Sequence, residues 1–265
     1  MLELKKLCKT FSPNTPDAHC ALDQLDLRLA QGEFLTIIGS NGAGKSTLFN
    51  AVCGNFELDS GRILLQGQDI TFLPEHKRAA KIGRLFQDPM KGTAPNMTIA
   101  ENLALAYSRS TKGIFRLGVR RKDLELFRDR LAAFGLGLED RMQAKAGLLS
   151  GGQRQVLSLL MTTIAKPQVL LLDEHTAALD PATAHKIMEI TKQIVREENL
   201  TTMMITHNIQ AALTTGDRTV MLDRGRIILD IAGQQRENMS VPELMALYAQ
   251  QSEHTLDNDR MLLAG

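Results

Sequence analysis

The sequence predicts an α/β fold, and three observations carry that expectation. A short apolar run rich in β-branched residues, 33–38, passes straight into a glycine-rich turn and then a helix. From residue 169 to 231, strand-like and helix-like segments alternate. Between these regions, residues 93–165 carry helical spacing and read as a helical insert in an α/β core.

Taken in order, residues 1 to about 90 read mainly as strands. The run 33–38 has the composition of a fully buried strand. The helix after its turn is expected over 45–53, stopped by Gly54. A turn at 59–61 should precede a strand at 62–66. In the middle segment, 99–107 and 124–134 show apolar residues at three- and four-residue spacing. A helix is also expected over 154–166. Four apolar residues make a buried strand at 169–172, and Asp180-Pro181 caps and starts a helix. Ile187, Ile190, Ile194 and Val195 give that helix its apolar face. A strand follows at 201–206, then a hairpin of 218–223 with 226–231 around Gly225. Ser240 to Glu243 forms a capping box for a C-terminal helix. The last fifteen residues are polar and carry no assignment.

Composition bounds the function. The 265 residues suffice for a sizeable core, and 31 Lys plus Arg against 30 Asp plus Glu leave a net charge of +1. That balance argues against a strongly basic nucleic-acid binder and against an acidic disordered chain. No apolar run approaches the roughly 18 residues that span a bilayer, and charges interrupt the N-terminal apolar residues, unlike a secretory signal. Cys8, Cys20 and Cys53 are widely spaced without a CxxC pair, which fits a reducing compartment and neither structural zinc nor a disulfide framework. Cys53, Met203 and Met204 read as core packing.

Gly39, Ser40, Asn41, Gly42, Ala43, Gly44, Lys45, Ser46 and Thr47 fit G-x-x-x-x-G-K-[ST] between a strand and a helix. Glycines let backbone N–H groups turn inward around phosphate oxygens. Lys45 reaches the β- and γ-phosphates, Ser46 offers a hydroxyl to Mg²⁺, and the helix N-terminus adds partial positive charge. Far downstream, Asp173 and Glu174 stand at the carboxyl end of the strand at 169–172, where α/β proteins bind ligands. Asp173 is suited to hold Mg²⁺ through water, and Glu174 to polarise an attacking water as general base. Leu149, Ser150, Gly151, Gly152 and Gln153 precede a helix. A hydroxyl with two glycines there offers an anion site, or an ordinary Ser N-cap, for which two glycines are more than a cap requires.

With these motifs in this order, the chain resembles the nucleotide-binding subunits of ABC transporters, over residues 1 to about 235. The resemblance implies a P-loop NTPase core, an antiparallel β subdomain and an inserted helical subdomain. The whole chain is then one domain: core at about 1–92 and 166–235, helical subdomain at about 93–165, C-terminal helix and tail at about 236–265. It further implies that Phe11 stacks on adenine, and that Gln87 approaches Mg²⁺ and the attacking water. Asp180 would lie at the dimer seam, His207 would contact the γ-phosphate, and the 149–153 signature would face the ATP of a partner subunit. The family commonly has Pro after the catalytic Glu, whereas this chain has His175. That imidazole could titrate near neutral pH, with a structural substitution the simpler reading.

The implied activity is ATP hydrolysis, with ATP and Mg²⁺ as cofactors, energising solute import. A transporter subunit without membrane spans needs a separate integral-membrane permease. A second ATP-binding subunit is implied, as a homodimer, and an extracytoplasmic solute-binding protein, with no nucleic acid. The location is the cytoplasmic face of the membrane, as a peripheral protein. The run 173–181 resembles ATPases paired with amino-acid-type permeases. The alternative is a non-transport ABC ATPase of DNA repair or translation. Against it stand the lack of sustained heptads or a CxxC pair, and a single ATPase unit in the chain. A GTP-dependent switch would need Asn-Lys-x-Asp, which is absent.

Overall fold

The computed structural model describes residues 1–108 and 120–251. The strands are β1 (Leu2–Phe11), β2 (His19–Leu29), β3 (Phe34–Gly39), β4 (Ser60–Leu65), β5 (Gln68–Asp69), β6 (Ile82–Leu85), β7 (Val169–Asp173), β8 (Thr202–Ile205), β9 (Arg218–Asp223) and β10 (Arg226–Ala232). The helices are α1 (Lys45–Cys53), α2 (Glu75–Arg78), α3 (Ile99–Tyr107), α4 (Arg121–Ala132), α5 (Gly151–Thr163), α6 (Pro181–Glu197), α7 (Ile209–Thr214), α8 (Gly233–Glu237) and α9 (Val241–Gln251). The chain forms two compact units, one of Met1–Ala79 with the segment from Thr201 onward, the other of Ala80–Leu200.

The first unit contains an antiparallel sheet in the order β2-β1-β4-β5. Beside it, β3 pairs in parallel with both β8 and β9, and β9 forms the expected hairpin with β10. Every residue of β3 is buried, as a strand flanked on both edges requires. Strand β4 starts at Ser60, inside the stretch expected to be a turn. Gly61 makes this possible: at φ 99° it passes so close to β1 that a Cβ would lie 2.4 Å from the Lys6 carbonyl oxygen.

Helix α1 spans the expected residues and ends at Gly54 in the left-handed conformation (φ 82°). Its last carbonyls gain a second cap from Arg78. This buried guanidinium donates to the Ala51, Val52, Thr71 and Leu73 carbonyls, placing a cation at the negative end of the helix. Helix α9 opens with the expected box, Glu243 accepting from the Ser240 N–H and hydroxyl. Leu244 and Tyr248 are buried with Ile38, Ile209 and Met221. Residues 252–265 of the polar tail lie outside the described residues.

In the second unit, β6 and β7 pair in parallel, Leu85 opposite Leu172. Helix α3 matches its expected bounds and is opened by a Thr98–Glu101 capping box. Asn102 on α3 is fully buried. Its amide donates to the Ala94, Met97 and Thr98 carbonyls and accepts from the Ala94 N–H, so one side chain fixes the loop before the helix. Helix α4 starts earlier than expected, because Asp123 accepts the Arg120 N–H at 3.1 Å and holds a polar first turn that apolar spacing does not mark. Helix α5 runs from Gly151 to Thr163, about one turn N-terminal to the expected span. Ser150 caps it, and Lys166, at φ 51°, lies beyond its end. Helix α6 begins as read: Asp180 Oδ1 accepts the Thr183 N–H at 3.0 Å, and Pro181 occupies the first helical position.

Candidate nucleotide site

The phosphate loop grows out of β3. Gly39 has φ 149°, and a Cβ there would meet the Leu222 carbonyl oxygen at 2.3 Å. Gly44 has φ 102°, and its Cβ would meet the Ala21 carbonyl oxygen at 2.4 Å. Gly42 has open space around it and is required only by its φ of 80°. Two glycines thus admit neighbouring backbone, and the third sets the turn. Between them Ala43 is buried and Asn41 exposed.

Gly44 is also the N-cap of α1 and supplies no side-chain oxygen to the first turn, so that turn's N–H groups have no cap from this residue. Lys45 follows, its side chain buried and its ammonium donating to the Gly39 carbonyl at 2.7 Å and the Ser40 carbonyl at 2.9 Å. A helix N-terminus and a held ammonium beside a glycine loop have the chemistry that suits an anion. Ser46 is exposed at the same end and Thr47 half-buried.

His207 follows β8, whose Ile205 lies opposite Ile37 of β3. The histidine and the phosphate loop therefore leave the same, carboxyl end of neighbouring parallel strands. Phe11 ends β1 with 38% of its surface exposed, in contact with Phe56 and Lys9. Phe56 carries no motif and is visible only in three dimensions.

In the second unit, Gln87 follows β6, Asp173 ends β7 and Glu174 comes directly after it, so all three stand at the carboxyl end of one parallel pair. Asp173 makes an ion pair with Arg84 of β6 at 2.7 Å, and the Arg84 guanidinium lies over the Phe86 ring. Sequence reading missed Arg84, because its contact with Asp173 joins residues 89 positions apart. Glu174 has φ 47°, a left-handed conformation that costs on the order of 1 kcal/mol and concentrates at functional positions.

His175 is 2% exposed, with Nε2 3.2 Å from the Thr191 hydroxyl oxygen. That hydroxyl donates to the Ile187 carbonyl, so the Nε2–H donates to it and Nδ1 carries no proton. Burial pulls the imidazole pKa from 6.5 down to about 4, so His175 is neutral at pH 7 and serves packing. The unfolded chain then binds the extra proton between those values. Stability should fall as pH drops from about 6.5 toward 4, by at most about 1.4 kcal/mol per pH unit. Denaturant titrations near neutrality and at about pH 5 should show a larger loss for wild type than for His175→Gln. Equal losses would contradict this account.

The 149–153 signature resolves into separate parts. Ser150 is the N-cap of α5, its hydroxyl accepting the Gln153 N–H at 3.3 Å while Gln153 accepts the Ser150 N–H. Leu149 is buried. Gly152 has a packing cause: a Cβ there would meet Thr183 Cγ2 of α6 at 2.4 Å. Gly151 is exposed, and a Cβ there would make only an ordinary contact, with Leu179 at 3.5 Å, so it alone lacks a packing reason. Asp180 is exposed, and its bonds to Thr183 hold its carboxyl below the usual range.

Comparison with known proteins places this arrangement. The family model described as ABC transporter matches residues 22–177, more than half the chain. The chain belongs to the ABC transporter family. A tyrosine transport ATP-binding protein of Clostridioides difficile is 44% identical over 245 residues, covering 92% of this chain and 97% of that one. The spermidine/putrescine import ATP-binding protein PotA of Haemophilus influenzae is 35% identical over 89% of this chain, which spans only 59% of PotA. Among solved structures, a dimeric ATP-binding cassette, MJ0796 bound to ADP and Pi, superposes with a TM-score of 0.75 at 28% identity, over 88% of this chain and 98% of that one. The fold is that of the ABC ATPases, the chain is an ABC ATPase, and ATP is its nucleotide. No described helix is long and apolar enough to cross a membrane.

Proposed function

We propose that this ABC ATPase hydrolyses ATP to drive solute import through a separate integral-membrane permease, as a peripheral subunit at the cytoplasmic face. The observation that carries the reading is the near end-to-end identity of 44% to a transport ATP-binding protein. The same relative supports an amino-acid-type solute, with selection by the permease and an extracytoplasmic solute-binding protein. The ATPase acts as a homodimer, each 149–153 signature facing the ATP held by the other copy, with Asp180 at the seam.

In this reading, Lys45 and the N–H groups of residues 39–47 bind the β- and γ-phosphates, and Phe11 stacks on adenine. His207 contacts the γ-phosphate. Glu174 takes the proton of the attacking water, which Gln87 helps to orient. The donor chemistry suits Mg²⁺: Ser46 offers a hydroxyl, Asp173 a carboxylate and Gln87 an amide oxygen, all hard oxygen ligands, and phosphate oxygens and water would supply the rest. No group of three His, Cys, Asp or Glu side chains capable of holding a metal occurs among the described residues. Bound by these oxygens, Mg²⁺ would neutralise charge on the phosphates.

The permease docks on the segment after Gln87. Asp88 caps the turn Pro89–Gly92, leaving Met90 45% exposed, and Leu148 is 72% exposed. Arg154 ties these together, donating to Met90 Sδ and to the Gly147 and Leu149 carbonyls. Two exposed apolar side chains on one braced surface are suited to receive a cytoplasmic helix. Single cysteines replacing Met90 or Leu148, in a chain without its three native cysteines, should crosslink to the permease in native membranes. Crosslinks only from the hairpin around Gly225 would place the docking surface elsewhere.

A further inference from the structure

Phe11 ends a strand, where a phenyl ring ordinarily keeps its rotamer freedom, yet here its surroundings fix it. The Phe56 ring stands edge-on to it, centroids 5.4 Å apart and planes at 82°. The Lys9 ammonium lies 5.7 Å from the Phe11 centroid and 5.5 Å from that of Phe56. Both the edge-on pair and the cation over the rings are attractive through the ring quadrupole.

The ammonium is itself anchored. It donates to the Glu57 carbonyl at 2.8 Å and to Asp59 Oδ1 at 2.9 Å, while Asp59 Oδ2 accepts the Thr10 N–H at 2.6 Å. Those bonds, the one from Lys9 first, hold the Asp59 carboxyl below its usual range, so the anchor stays charged near neutrality. A chain of contacts thus runs from Asp59 through Lys9 to two rings, and Phe11 still keeps 38% of its surface open. A ring held in place loses less freedom when a second planar group stacks on it.

We propose that Phe56, braced by Lys9 and Asp59, is the positioning residue for nucleotide-base stacking: it sets the angle at which Phe11 offers its open side to the purine. The proposal rests on the reading of Phe11 as the base-stacking residue. Phe56 acts on the base alone, so a ligand without a base should not sense it.

The test compares ATP with inorganic tripolyphosphate by titration calorimetry on the full chain. Phe11→Ala should weaken ATP binding by about tenfold or more and leave tripolyphosphate unchanged. Phe56→Ala should weaken ATP about three- to tenfold, again without effect on tripolyphosphate. It should have no further effect in the Phe11→Ala background. Phe56→Tyr, which keeps the ring, should restore the wild-type ratio of the two affinities. If Phe11→Ala lowers the ratio but Phe56→Ala does not, the positioning role is wrong. If Phe56→Ala weakens both ligands equally, Phe56 is a general support and the proposal fails. If Phe11→Ala leaves the ratio unchanged, the stacking reading fails, and this inference with it.

Discussion

Lys45→Ala is expected to weaken ATP binding by at least about 100-fold. Hydrogen bonds to charged groups contribute about 1.5–3 kcal/mol each, and the phosphates would lose their one directed cation from this loop. A second effect adds to the first. The Lys45 ammonium donates to the Gly39 and Ser40 carbonyls, so the substitution also leaves those acceptors without it and loosens the loop that should bind phosphate. The bulk of the fold should survive, because the core of α1 rests on Leu48, Phe49 and Val52, all fully buried. Titration with a fluorescent ATP analogue, alongside thermal unfolding, checks both parts. Equal nucleotide affinity in the two proteins would reject the phosphate site.

Glu174→Gln should leave ATP binding intact while hydrolysis falls by roughly 10²-fold or more. Gln keeps the shape of Glu and meets a similar demand at φ 47°, so the change isolates the proton acceptor. With hydrolysis blocked, an ATP-bound dimer should accumulate, which light scattering detects. Retained turnover would mean that another group is the base.

Much of this was legible because the signals are local. The strand, glycine turn and helix at 34–53, the Pro181 start of α6 and the bounds of α3 each follow from neighbouring residues. Strands β1 and β2 were harder to read individually. Their alternation is broken by register shifts, with Lys6 and Gln24 at positive φ, and a shift in register moves apolar residues to the other face. The site divides in the same way. Loop glycines announce themselves as a motif, but their separate causes lie in Leu222 and Ala21, residues distant in sequence. Two glycines at 151 and 152 looked like one signal for an anion, whereas Gly152 answers to Thr183 of α6. The partners Arg84 and Phe56 were invisible for the same reason: each acts through a contact that no spacing rule encodes.

If this ABC ATPase works on a permease in the membrane, the two should be recoverable together. A tagged copy purified from native membranes in mild detergent tests it directly. One multi-span membrane protein should co-purify, and the complex should hydrolyse ATP. Recovery of ribosomes or DNA with the tagged chain, and of no multi-span protein, would contradict the account.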